Sequence, residues 1–112
     1  MPLTFLEQMD SDRRFRREAL RNETRQRLRE ALEQLVPGQR AIVFGSVVKP
    51  GKFKETSDVD VALDREPANA SIFQLSSLLA ESLGRPADVV LLGECRFRDR
   101  IMREGETWML PD

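Results

Sequence analysis

Three aspartates, Asp58, Asp60 and Asp88, are the residues of this 112-residue chain whose type and spacing suit chemistry. The chain has no histidine, so imidazole is missing as base, nucleophile activator and metal ligand. Acid–base or metal chemistry therefore falls to carboxylates. An acid-x-acid pair alone says little in a chain with 19 Asp plus Glu, where Asp10/Asp12, Asp58/Asp60 and Glu104/Glu106 all occur. Only Asp58/Asp60 lies in an alternating run, Asp58-Val59-Asp60-Val61-Ala62-Leu63, the period-two signature of a half-buried strand. Residues i and i+2 of a strand share a face. The two carboxylates therefore stand together and repel unless a cation or proton lies between them.

Asp88 opens a further apolar run, Asp88-Val89-Val90-Leu91-Leu92. If that strand pairs beside the first, its carboxylate completes a three-acid site. Three hard oxygen ligands with open positions suit Mg²⁺, which keeps waters and recruits substrate phosphates. Gly45-Ser46 supplies the other half. A glycine after a strand lets backbone approach a triphosphate closely, and the serine hydroxyl and nearby N–H groups can donate to its oxygens. Each feature taken separately has a plainer reading: a solvated strand face, a strand-ending turn, an acid beside a turn.

The elements that must position these residues follow from periodicity. Residues 11–36 read as a helix capped by Ser11, with Phe15, Ala19, Leu28, Ala31, Leu32 and Leu35 as its apolar stripe and Pro37-Gly38 as its stop. A shorter helical piece over Leu3–Met9 precedes it. The stretch Arg21–Arg27 offers nothing to bury and reads as solvated or covered by another chain. Ala41–Phe44 suits a buried strand, Lys49–Lys52 a loop, and Asp58–Leu63 a second strand. Asn69–Leu83 spaces Ile72, Leu75, Leu78, Leu79 and Leu83 as an amphipathic helix ending at Gly84. Ala87–Leu92 reads as a third strand, and Cys95–Glu104 as a last helix with Phe97 and Ile101 inward. Trp108-Met109-Leu110 follows as an apolar tail in the core or at an edge of the sheet. The expected fold is α/β, one domain over residues 1–112, with a small mixed sheet, helices on one face and the acids on the other.

Composition narrows the classes. The 18 Lys plus Arg nearly balance the acids, and a net charge of −1 gives no global pull toward nucleic acid or membrane. The single cysteine, Cys95, excludes an internal disulfide and any cysteine cluster for zinc or iron–sulfur. No apolar run approaches the roughly 20 residues that span a bilayer, and the start shows no basic then apolar leader. A soluble, cytoplasmic protein is the expectation.

Phe44-Gly45-Ser46, Ser57-Asp58-Val59-Asp60-Val61 and Asp88-Val89-Val90, in that order, resemble the Gly-Ser, Asp-x-Asp, Asp pattern of the DNA polymerase beta nucleotidyltransferase superfamily. The length and the ending Ile101-Met102-Arg103-Glu104-Gly105 look like its minimal branch, the MNT domains. The resemblance implies a nucleotidyltransferase fold over roughly residues 41–110. It also implies that Asp58, Asp60 and Asp88 hold Mg²⁺, with Asp88 as base toward an acceptor hydroxyl. Gly45 and Ser46 would then meet the triphosphate of ATP, and Lys49 would stand for the basic residue usual after the Gly-Ser pair. Members of this branch are typically paired with a HEPN-domain toxin, and several act as antitoxins that transfer AMP to a tyrosine of that toxin. An antitoxin that neutralises by binding alone is the other reading.

The arginines from Arg13 to Arg29 admit three readings: a solvated helix face laced with Glu18, Glu23, Glu30 and Glu33, a surface for an acidic partner, or a phosphate-binding stripe. The lack of interleaved aromatics beyond Phe15 argues against direct nucleic-acid binding.

Overall fold

The computed structural model describes residues 2–112, so Met1 of the expected domain lies outside the described residues. Helix α1 (Phe5–Leu35) leads to strands β1 (Arg40–Phe44) and β2 (Val59–Leu63), helix α2 (Ile72–Leu83), strand β3 (Ala87–Leu91), helix α3 (Arg98–Glu104) and strand β4 (Glu106–Met109). The sheet order is β3-β2-β1-β4, with β2 and β3 parallel and the other pairs antiparallel. No helix among the described residues is long and apolar enough to cross a membrane.

The first helix is one piece, not two. Thr4 caps it: its hydroxyl accepts from the Glu7 N–H at 3.1 Å, and the Glu7 carboxylate accepts from the Thr4 N–H at 3.2 Å. This reciprocal box satisfies two of the donors a helix start leaves free. Ser11, expected as the cap, lies mid-helix, and Phe15 is 77% exposed rather than part of the buried stripe. Leu28 and Leu32 are buried as expected. The stretch between Leu20 and Leu28, expected to be solvated or covered by another chain, leaves Asn22, Glu23, Gln26 and Arg27 exposed but packs on the domain at three positions. Thr24 is buried, Arg21 donates to the Val47 carbonyl at 3.2 Å, and Arg25 pairs with Glu106 at 2.8 Å. Arg29 and Arg25 lie over the Trp108 ring at 4.4 and 5.6 Å, where their long side chains cover apolar surface, Arg25 while keeping its pairing with Glu106.

The second helix starts at a Ser71–Gln74 capping box, later than the expected Asn69, and ends at Gly84 in the left-handed conformation (φ 67°). The apolar tail is a fourth strand: Trp108 pairs opposite Ala41 and is buried. At four residues β4 is too short to announce itself by alternation. The last helix begins at Arg98, because Leu92–Glu94 takes a tight 3₁₀ turn before it. That shift leaves Phe97, expected inward, 63% exposed, while Ile101 is buried.

One face of the sheet presents Val43, Val61, Leu63 and Val89 to α1 and α2, whose Leu28, Leu32, Leu75 and Leu79 complete the main core. The other face presents Ile42 and Ala62 to Leu92 and Ile101. Helix α3 thus packs on the same face that carries the acids and walls one side of their cleft. Phe53, on the loop that joins β1 to β2, is fully buried in the main core, with the Arg85 guanidinium stacked 4.6 Å from its ring centre. Phe53→Ala is expected to cost about 3–5 kcal/mol, read as a lower urea midpoint with unchanged slope.

Candidate active site

Strand polarity decides what meets. Because β1 runs against β2 and β3 runs with β2, the last residue of β1 and the starts of β2 and β3 lie at the same end of the sheet. The register is Phe44 opposite Asp60 and Asp60 opposite Asp88. Residues far apart in sequence are thereby placed side by side, and Asp58 enters the same spot one step before β2. One carboxylate oxygen from each of Asp58, Asp60 and Asp88 lies within 4.8 Å of the others. Asp58 and Asp88 are exposed and Asp60 is half-buried.

Gly45 sits against this cluster with φ 82° and ψ −157°, a conformation reserved in practice for glycine. A Cβ built there would lie 2.6 Å from Asp60 Oδ2. The glycine therefore has two jobs: it turns the chain out of β1, and it leaves Asp60 room. Ser46 begins a 3₁₀ turn, Ser46–Val48, closed by the Lys49 N–H donating to the Ser46 carbonyl at 3.0 Å. Ser46 stands directly after Gly45 but does not line the cleft.

The cleft itself measures about 360 Å³ and is walled by Phe44, Val90, Phe97 and Ile101, with Gly45, Lys49, Asp60 and Asp88 at its charged end. Glu104 accepts from Arg100 Nε at 3.0 Å, and Lys49 Nζ lies 3.9 Å from the same carboxylate. Phe97, Arg100 and Glu104 were not identifiable as site residues from spacing. They reach the cleft because a 3₁₀ turn at Leu92–Glu94 precedes α3 and delays its start to Arg98, which no spacing in the sequence marks.

Burial, then the charges of Asp58 and Asp88, push the Asp60 carboxyl from 3.8 up to about 6. A group that holds its proton more tightly when folded stabilises the fold at low pH, and that contribution is lost as pH rises through about 6. The metal-free protein is therefore expected to lose stability through this group between about pH 4 and pH 6.5, and Asp60→Asn is expected to flatten that part of the profile. Thermal unfolding across pH 4–8 with a chelator checks this.

The same repulsion is a test of whether a cation fits. Three carboxylate oxygens gathered within 4.8 Å of one another can turn toward a shared ion, and the crowding that helps raise Asp60 is what a divalent cation relieves. The donor set is all carboxylate oxygen, the chemistry of Mg²⁺ rather than of zinc. The residues fit the group.

Residues 26–110 match the family described as Polymerase beta, Nucleotidyltransferase. The chain belongs to that family. Its α/β architecture with a four-stranded mixed sheet is the nucleotidyltransferase fold. Among solved structures, the nucleotidyltransferase domain is similar to a chain of a toxin–antitoxin crystal structure with AMP-PNP. The TM-score is 0.59 at 24% identity, over 74% of this chain and 71% of that one. A comparison with curated proteins gives no match. The family match begins inside α1, so the first turns of that helix lie outside it.

Proposed function

We propose that this nucleotidyltransferase domain moves AMP from ATP to a hydroxyl of a partner protein, with Mg²⁺ as cofactor, and that it is an antitoxin whose partner is a HEPN-domain toxin. The convergence of Asp58, Asp60 and Asp88 beside the Gly45 backbone carries the enzymatic part of this reading. Family membership and a fold shared with a toxin–antitoxin structure solved with AMP-PNP support the rest.

Asp58 and Asp60 would hold the metal, and Asp88 would complete its protein ligands. Bound there, Mg²⁺ supplies charge neutralisation at the α-phosphate and the departing pyrophosphate. Gly45 lets the backbone approach the triphosphate, Ser46 would turn its hydroxyl into the cleft to donate to a phosphate oxygen, and Lys49 turns from its loose pairing with Glu104 toward the phosphates. Asp88, exposed and lining the cleft, takes the proton of the acceptor hydroxyl. The acceptor oxygen bonds to the α-phosphorus as the bond to the bridging oxygen breaks, and pyrophosphate leaves. The chain contains no tyrosine, so transfer to tyrosine requires another protein.

The apolar wall suits the nucleoside. A nucleobase stacked on the exposed Phe97 ring is worth about 1–3 kcal/mol, so Phe97→Ala is expected to raise the KM for ATP by roughly tenfold or more with a smaller change in kcat. Steady-state kinetics at fixed acceptor reads this directly. Calorimetry of ATP with Mg²⁺ tests the reading as a whole: binding is expected with wild type and lost in Asp58→Ala. Binding that needs neither Mg²⁺ nor Asp58 would overturn it.

A further inference from the structure

We propose that the N-terminal part of α1 is a homodimerisation element, pairing antiparallel with the same segment of a second copy across a two-fold axis between Asp12 and Arg13. The molecule is long, 57 × 28 × 22 Å, and every residue from Pro2 to Arg16 is exposed. The helical part of that segment, Phe5–Arg16, spans about 18 Å. As the first turns of a 31-residue helix, the segment buries none of its own residues, so packing by a second surface would stabilise it. It exposes Phe5 (75%), Leu6 (73%) and Met9 (46%).

Successive helical residues advance by about 100°. On that rotation Phe5, Met9, Asp12, Arg13, Arg16 and Leu20 fall on one face roughly 100° wide. The spacing of this face reads the same from either end: Phe5 to Met9 matches Leu20 back to Arg16, and Met9 to Asp12 matches Arg16 back to Arg13. Laid antiparallel on itself, the face sets Phe5 against Leu20, Met9 against the aliphatic stem of Arg16, and Asp12 against Arg13. Each contact occurs twice by symmetry.

The charge order favours this occupant. Asp10 and Asp12 precede Arg13, Arg14, Arg16 and Arg17, so antiparallel copies bring acidic turns against basic turns, whereas parallel copies would set like on like. Among the described residues, Asp12, Arg13 and Arg16 form no ion pair within one copy, although Asp12 and Arg16 stand at helical pairing distance. Arg17, the next basic residue, is instead turned to Glu55 at 3.4 Å. Leu20, half-buried at the margin of the main core, gives the partner's Phe5 an apolar seat where the helix meets the domain.

Sedimentation of the full chain tests the proposal. Wild type is expected to dimerise, more weakly as salt rises. Asp12→Arg and Arg13→Asp each set like charges at both crossings and are expected to weaken the dimer at least tenfold. The combined swap, D12R with R13D, restores opposite charges and is expected to recover association, as is an equimolar mixture of the two single variants. Circular dichroism of each variant confirms that the exposed helix is still formed. Wild type that stays monomeric at every concentration overturns the proposal. So does a dimer indifferent to all four samples, and so does loss of binding to another protein in the single variants that the swap does not restore, which would assign the face to that protein.

Discussion

Asp60→Asn is expected to reduce nucleotidyl transfer by at least about 10³-fold while making the metal-free protein more stable at neutral pH. The two effects have one cause. Asp60 is the half-buried member of the triad, and its carboxyl is already raised to about 6 by burial and by its two neighbours. At pH 7.5 the folded protein without metal keeps a charge it would rather lose, and an amide of the same shape removes that repulsion. A rise in Tm of about 2–6 °C is expected, shrinking toward zero near pH 4.5, where the wild-type carboxyl is itself protonated. Adding Mg²⁺ should raise the Tm of wild type and leave that of the variant unchanged, because ligands that bind only the native state stabilise by mass action. A variant that loses activity together with stability would mean that Asp60 serves the fold instead of a metal.

The second large effect is expected at Gly45. Any side chain there must adopt φ 82° with ψ −157°, at a cost of about 1–3 kcal/mol. It must also displace Asp60, since Oδ2 lies 2.6 Å from where Cβ would stand. Gly45→Ala is therefore expected to lower kcat/KM by about 10²-fold or more, because a displacement of about 1 Å in a positioned group is enough for that. Gly51→Ala is the control. It also has positive φ, at 78°, but nothing within 4 Å of its Cβ. If Gly51→Ala costs a similar amount of stability and keeps most of the activity, the loss at Gly45 reports the encounter with Asp60. Equal loss of activity in both variants would mean that backbone strain alone is responsible.

The acid site was legible because its signal is short-range and periodic. Asp58 and Asp60 announce themselves by alternation with Val59 and Val61, and Asp88 by opening the next apolar run. Only the register between strands had to come from the structure, in the pairing of Asp60 with Asp88. What the sequence concealed depends on tertiary contacts. Arg21 and Arg25 look like solvent residues until Val47, Glu106 and Trp108 are brought beneath them. Phe97 looks like a core residue until the turn at Leu92–Glu94 rotates it out. The Thr4–Glu7 capping box was readable from residue types three apart, and missing it divided one helix into two. The strand at Glu106–Met109 is held by pairing with β1, not by any pattern of its own.

The most direct test of nucleotidyl transfer is mass spectrometry of a candidate partner toxin incubated with this protein, ATP and Mg²⁺, with Asp58→Ala/Asp60→Ala as control. A gain of one or more AMP units on the partner with wild type, and none with the double variant, is the expected result. An unchanged partner that nevertheless forms a tight complex with both proteins would contradict transfer and leave neutralisation by binding alone.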